Sequence, residues 1–189
     1  MLLLVGLGNP GSSYTNTRHN IGFKIIDAIN THFKLSKQKP KFKGLLTTGS
    51  IDEKKIYAIK PLTFMNNSGT AIKELIDYFK IDAKDVFVFH DDLDVDFGKV
   101  KTKFGGSSAG HNGIESIDKF IGKDYSRIRI GIGKPKVEKA KDAVVDHVLK
   151  DFDDDEIQEL EKITKNITDS LTILLDKKLD LFSSTVNNK

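Results

Sequence analysis

Leu2-Leu3-Leu4-Val5-Gly6-Leu7-Gly8-Asn9-Pro10-Gly11 opens the chain, and its reading decides the fold. An apolar run with no polar alternation, followed by glycine-rich sequence, predicts a first strand buried on both faces. The glycines also match G-x-G-x-x-G, the dinucleotide fingerprint. In that fingerprint a helix opens inside the loop, so that its N-terminus faces a pyrophosphate. Here Pro10-Gly11-Ser12-Ser13 continues as turn sequence. Helical spacing starts only near Ile21, with Ile25, Ile26, Ile29 and Phe33 on one side. Asp27 falls within that helix, so no second strand ends in an acid at the expected distance. The loop therefore reads as a tight turn after strand one, in which Asn9 offers both an amide donor and an acceptor.

Strands and helices alternate outward from this point. Leu45 to Ile51 and Ile56 to Ile59 flank Asp52-Glu53-Lys54-Lys55 and read as a hairpin. Ala71, Leu75, Ile76 and Phe79 mark a second helix. Val86-Phe87-Val88-Phe89 has the unbroken apolar character of a central parallel strand. Lys99 to Phe104 and Arg127 to Ile132 each alternate basic and apolar residues, so each strand has one basic and one apolar face. Asn112 to Ile121 between them reads as a short helix. Asp153 and Glu156 have capping-box spacing ahead of a long amphipathic helix carrying Ile157, Leu160, Ile163, Ile167, Leu171 and Leu174. Lys34 to Lys43 reads as a surface connection, and residues 183–189 as a frayed polar tail. The order predicts a single α/β domain over residues 1–189. Its sheet is mixed, mostly parallel and twisted, flanked by helices, with a long C-terminal helix.

Composition bounds the function. The 189 residues suit one domain with a full core, and 38% hydrophobic with 30% charged residues is the balance of a soluble globular protein. The absence of cysteine excludes disulfides, thiolate metal sites and cysteine nucleophiles, and fits a reducing cytoplasm. The N-terminal apolar run lacks a basic leader, and no stretch has the length of a membrane span. A formal net charge of +3 is a weak pointer to nucleic acid, so the distribution of charge matters more.

Polar groups cluster just beyond the expected strand ends. They are Asn9, Thr17-Arg18-His19-Asn20, Thr63-Phe64-Met65-Asn66-Asn67-Ser68-Gly69, and His90-Asp91-Asp92-Leu93-Asp94, with Gly110-His111-Asn112-Gly113 ahead of a helix. Ligands of open α/β sheets bind at the carboxyl ends of the strands, so these loops can converge. An imidazole titrates near neutrality and suits a general base, which points to His19. Asp91 would fix its tautomer. With no cysteine and no G-x-S-x-G elbow, the economical chemistry is direct attack by water. Asn9, Asn66 and Asn112 would serve a peptide-like substrate and an oxyanion. A divalent cation at His90-Asp91-Asp92-x-Asp94 is the alternative, though no further acidic loop supports it. The lysines at 99, 101 and 103 have two readings: an edge strand kept solvated, or a phosphate platform shared with Arg127 or Arg129.

Together these segments resemble the bacterial peptidyl-tRNA hydrolase family. The matching pieces are Gly6 to Gly11, Thr17 to Asn20, Thr63 to Asn66 with Ser68-Gly69, His90-Asp91 with Leu93-Asp94, Gly110 to Gly113, and Arg127 to Gly133. They stand in the family's order and spacing. The resemblance implies a monomeric cytoplasmic enzyme that needs no metal or cofactor and hydrolyses peptidyl-tRNA to tRNA and a peptide. Carried over by motif, His19 is the catalytic base and Asp91 its partner. Asn9, Met65, Asn66 and Asn112 line the peptide and ester site. Tyr14 contacts the 3′-terminal end of the tRNA, and Lys103 and Arg129 clamp its 5′-phosphate. One departure stands out: Ala109 occupies a position where the family usually has glycine. A positive φ there would put strain on the loop ahead of His111.

Overall fold

The computed structural model describes residues 1–135 and 141–189. Among these residues seven strands form one sheet: β1 (Leu2–Gly6), β2 (Lys39–Lys41), β3 (Gly44–Ile51), β4 (Lys54–Pro61), β5 (Val86–Asp92), β6 (Val100–Phe104) and β7 (Ser126–Gly131). They lie in the order β2-β3-β4-β1-β5-β7-β6. The central pairs β4–β1, β1–β5 and β5–β7 are parallel, and the outer pairs are antiparallel. The continuous apolar runs at β1 and β5 thus occupy the middle of the sheet, where both faces are covered. The connection expected at Lys34 to Lys43 contains a short edge strand, Lys39-Pro40-Lys41, whose composition discourages further pairing. Asp52 and Glu53 both have positive φ, 48° and 61°, so the predicted hairpin closes on a tight two-residue turn.

The helices are α1 (Ile21–His32), α2 (Ser68–Phe79), α3 (Asn112–Ile121), α4 (Lys141–Leu149), α5 (Asp154–Asp169), α6 (Leu171–Leu175) and α7 (Leu179–Asn187). One core layer joins Leu2, Leu4, Phe87 and Phe89 to Ile25, Ile29, Leu160, Leu171 and Phe182. The other joins Leu3, Val5, Val86 and Val88 to Ile72, Leu75, Ile114 and Ile117. Successive residues of β1 and β5 divide between the two layers, as the alternation of side chains in a strand requires.

Gly6 and Gly8 of the fingerprint serve packing. A Cβ on Gly6 would collide with the Gly22 carbonyl, and one on Gly22 with the Leu7 backbone. Helix α1 therefore sits directly on β1, and it opens well beyond the glycine loop.

Two expectations at the C-terminus are corrected. The helix read through to Leu174 is broken at Ser170, whose N–H is shared between the Asn166 and Ile167 carbonyls. The break keeps Leu171 and Leu174 on the core side, which is why the apolar spacing runs through it. Residues 183–189 are not a frayed tail. Helix α7 buries Phe182 and Val186 completely. Asn187 accepts from the Val100 N–H at 2.9 Å and donates to the Val100 carbonyl at 2.8 Å. This satisfies backbone groups on the open side of edge strand β6 and anchors the chain end.

Candidate active site

The carboxyl ends of β1, β4 and β5 lie side by side, and the expected cluster forms there. His19 sits in a single 3-10 turn, Arg18–Asn20, just ahead of α1. Its Nδ1 lies 2.8 Å from Asp91 Oδ1 and 2.9 Å from Oδ2. Asp91 is 2% exposed and His19 9%, so the carboxylate is sealed while the imidazole still meets solvent.

His111, within the Gly110 to Gly113 motif, completes the centre. It is the N-cap of α3, where its Nδ1 accepts from the Gly113 N–H at 3.1 Å and the Ile114 N–H at 3.3 Å. An Nδ1 that accepts leaves the proton on Nε2. That Nε2 donates to Asp91 Oδ1 at 2.9 Å. Asp91 thus takes a hydrogen bond from each of two histidines. Burial opposes its charge, but the two imidazoles outweigh burial and hold its pKa well below the usual carboxylate value. For His19 burial also disfavours the charged form. The Asp91 charge and hydrogen bond win, and its pKa is raised. His90 packs edge-on against His111, with ring centroids 4.9 Å apart. Burial, with His111 nearby, lowers its pKa to about 3, so it stays neutral.

Asn9 is buried and held by Asn20, whose amide accepts from the Asn9 N–H at 2.8 Å and donates to the Asn9 carbonyl at 2.9 Å. The Asn9 side-chain oxygen accepts from the Met65 N–H at 2.8 Å, joining the loops after β1 and β4. Met65 is buried in the 3-10 turn ahead of α2. Asn66 in that turn and Asn112 at the start of α3 are exposed. Tyr14 is half-buried, its ring edge-on to Phe64 at 6.4 Å. Asn20, like His111, had drawn no role from the sequence. Its signal was the adjacency to His19 in a four-residue polar run.

The basic strand faces separate into two kinds of residue. Strand β6 is an edge, and Lys103 on it is exposed. Arg129 on β7 is a diagonal neighbour of Lys103, because Lys101 pairs with Arg129 and Lys103 with Arg127. Its Nε donates to Asp92 Oδ2 at 2.7 Å, leaving the side chain 24% exposed. The Arg129 hydrogen bond holds the half-buried Asp92 below its usual pKa against the cost of burial. Arg127 does not belong to a phosphate platform. It is buried, donates to Asp118 Oδ1 and to the Ser107 carbonyl, both at 2.8 Å, and covers the Tyr125 ring.

The alternative cation site does not assemble. His90 bonds the Asp91 carbonyl, Asp91 faces two histidines, Asp92 holds Arg129, and Asp94 pairs with Lys134. His19, Asp91 and His111 do bring ligand atoms within 4.8 Å of one another. The cap bonds to Nδ1 keep the His111 Nε2 protonated, however, and a protonated nitrogen has no lone pair for a metal. A groove of about 600 Å³ between α1 and α5 is mainly apolar, lined by Ile21, Ala28, Phe152 and Leu160 among others. No residue of the cluster lines it.

The sequence profile of the peptidyl-tRNA hydrolase family matches residues 3–189. The chain is 77% identical to a peptidyl-tRNA hydrolase of Pelagibacter ubique (strain HTCC1062) over 189 residues, all of both chains. It is 44% identical to one of Ehrlichia ruminantium (strain Welgevonden) over 186 residues, covering 98% of this chain and 94% of that one. The crystal structure of peptidyl-tRNA hydrolase from Acinetobacter baumannii superposes with a TM-score of 0.91 at 32% identity, covering 99% of this chain and 94% of that one. With its profile, sequence and fold in agreement over nearly the whole length, this chain belongs to the peptidyl-tRNA hydrolase family.

Proposed function

We propose that this chain hydrolyses the ester between the peptide C-terminus and the 3′-terminal ribose of tRNA, with water activated by His19. The observation that carries the reading is the orientation of His19. Its Nδ1 faces both oxygens of a sealed Asp91, so its Nε2 is left as the lone-pair nitrogen at the solvent side of the cluster. Nε2 takes a proton as water attacks the ester carbonyl carbon. The tetrahedral intermediate then collapses, and the ribose oxygen leaves with the proton returned by His19. A peptide carboxylate and free tRNA result.

Around this centre, Asn9 and Met65 form the floor and Asn66 and Asn112 present exposed amides to the peptide and the developing oxyanion. Tyr14 meets the 3′-terminal end of the tRNA. Lys103 and Arg129 hold the 5′-phosphate, a contact that weakens with salt. No metal takes part. The substrate arises where ribosomes work, so the enzyme acts in the cytoplasm, as a monomer and one domain. Among the described residues no helix is long and apolar enough to cross a membrane.

The test is release of free tRNA from N-acetyl-aminoacyl-tRNA in excess EDTA, with wild type and His19→Ala side by side. Fast release by wild type and almost none by the variant is the expected result. Normal turnover by His19→Ala would remove the base assignment, and dependence on added Mg²⁺ would remove the metal-free mechanism.

A further inference from the structure

Arg18, the residue before the proposed base, is tied to the chain more tightly than its place in a short turn requires. Its side chain is 6% exposed. Nη1 donates to the carbonyls of Lys150 at 3.1 Å and Asp151 at 2.9 Å, and Nη2 donates to Glu156 Oε2 at 2.6 Å. The guanidinium also lies 5.3 Å from the centre of the Phe152 ring. Backbone contacts run beside it. The Arg18 N–H donates to the Lys150 carbonyl, the Phe152 N–H to the Asn16 carbonyl, and Thr17 bridges to Asp151. Lys150 to Phe152 is the joint between α4 and α5. Glu156 also closes the capping box of α5 through Asp153. One side chain therefore keys the turn carrying His19 to this joint.

A guanidinium is an expensive group to bury, and an apolar filler of the same volume usually serves stability as well. What its planar fork adds is fixed geometry toward several acceptors at once. The geometry matters here because the turn has two fastenings, one on each side of His19. Asn20 fastens it to the backbone of Asn9. Arg18 fastens it to the α4–α5 joint. We propose that Arg18 is a positioning residue for the hydrolysis, holding the His19 imidazole in line with Asp91 by locking the Arg18–Asn20 turn to that joint. The inference rests on His19 being the base. The ionisable groups facing His19 are Asp91 from β5 and His111 from the cap of α3, with His90 edge-on behind it. The charge of Arg18 is met by Glu156, so its influence on His19 is one of alignment.

The experiment uses the full chain as Arg18→Lys and Glu156→Gln, beside wild type and His19→Ala. Turnover of N-acetyl-aminoacyl-tRNA, its pH profile and the NMR titration of the His19 ring are measured on folded protein. For Arg18→Lys we expect kcat to fall about tenfold to a hundredfold, the scale of a small misplacement of a catalytic group. KM should stay within about threefold, since no substrate contact is lost. As the contact with Asp91 loosens, the acid limb and the His19 titration should move down together. A glutamine can still cap α5, so Glu156→Gln should show the same pattern with smaller amplitude. Unchanged kcat and an unmoved acid limb in folded Arg18→Lys would overturn the proposal, whatever the change in Tm. If Arg18→Lys does not fold, the same result in Glu156→Gln overturns it. Turnover by His19→Ala would instead remove the base assignment beneath it.

Discussion

Replacing Asp91 by asparagine alters the site by little volume but reverses a hydrogen-bond sense. His111 can present only Nε2–H to position 91, because its Nδ1 is taken by the Gly113 and Ile114 N–H groups. An asparagine must answer with its carbonyl oxygen in the place of Oδ1. Its NH2 then takes the place of Oδ2, 2.9 Å from the His19 Nδ1, while the Oδ1 position, 2.8 Å away, holds an uncharged oxygen already shared with His111. A protonated Nδ1 then meets a donor on one side and a weaker, shared acceptor on the other. His19 relieves the clash by carrying its proton on Nε2, which removes the lone pair that would accept a proton from water. General-base catalysis contributes about 10² to 10⁴ in rate. The same carboxylate-to-amide change in a serine-protease triad lowers kcat by about 10⁴. For Asp91→Asn we therefore expect a loss near 10³, about 4 kcal/mol on the barrier. KM should hold, since Asp91 is 2% exposed.

The pH profile of the same pair of proteins checks the cause. His19 acts only when neutral, so the rate falls as pH drops through its pKa. Asp91 raises that pKa, which places the wild-type acid limb above the usual imidazole value of 6.5. Without the carboxylate, burial alone remains and the residual activity should titrate lower. The assay is single-turnover release of tRNA from N-acetyl-aminoacyl-tRNA between pH 5 and 9. An Asp91→Asn enzyme within about tenfold of wild type, or one with an unmoved acid limb, would refute the tautomer argument.

Arg129→Ala should raise KM with kcat nearly unchanged and reduce the slope of log affinity against log salt by about one phosphate contact, read from binding isotherms at several salt concentrations. An unchanged slope would place the 5′-phosphate elsewhere. Ala109 has φ of 49°, the left-handed region that the loop before His111 demands. Ala109→Gly should therefore stabilise the protein by about 1 kcal/mol in denaturant unfolding, and a loss of stability would show that the turn tolerates a side chain without strain. Asn187→Ala removes two hydrogen bonds to Val100 and should cost about 2 kcal/mol, whereas a frayed terminus would lose nothing.

What could be read from the sequence follows from how local each signal is. The unbroken apolar runs at Leu2 to Val5 and Val86 to Phe89 identify central strands because only a strand covered on both faces tolerates them. The late start of helical spacing at Ile21 was enough to set aside the dinucleotide fingerprint, and the contact between Gly6 and Gly22 supplies another use for the glycine. The pairing of His19 with Asp91 was legible as chemistry, since few residue types can activate water. Alternation left Arg127 and Arg129 as equal candidates for a phosphate platform, because it gives the face of a strand but not what packs on it. Asp118 of α3 and the Ser107 carbonyl cover Arg127. In the last residues, the polar run Ser183-Ser184-Thr185 lies between Phe182 and Val186 and masks an i, i+4 pair that marks the buried side of α7.

The role of His111 was illegible for a related reason: it depends on the direction of a helix. The first turn of α3 has N–H groups that need acceptors. A serine at the cap could accept them, but it is too short to donate across to Asp91. An aspartate could accept them too, but it would set a second carboxylate beside a buried one. An imidazole accepts at Nδ1 and, for that reason, must donate at Nε2. That donation keeps Asp91 an ionised acceptor, and an ionised Asp91 draws the His19 proton to Nδ1. The polarity set by the backbone of α3 thus passes through three side chains and ends in a lone pair on the His19 Nε2, the nitrogen proposed to take a proton from water.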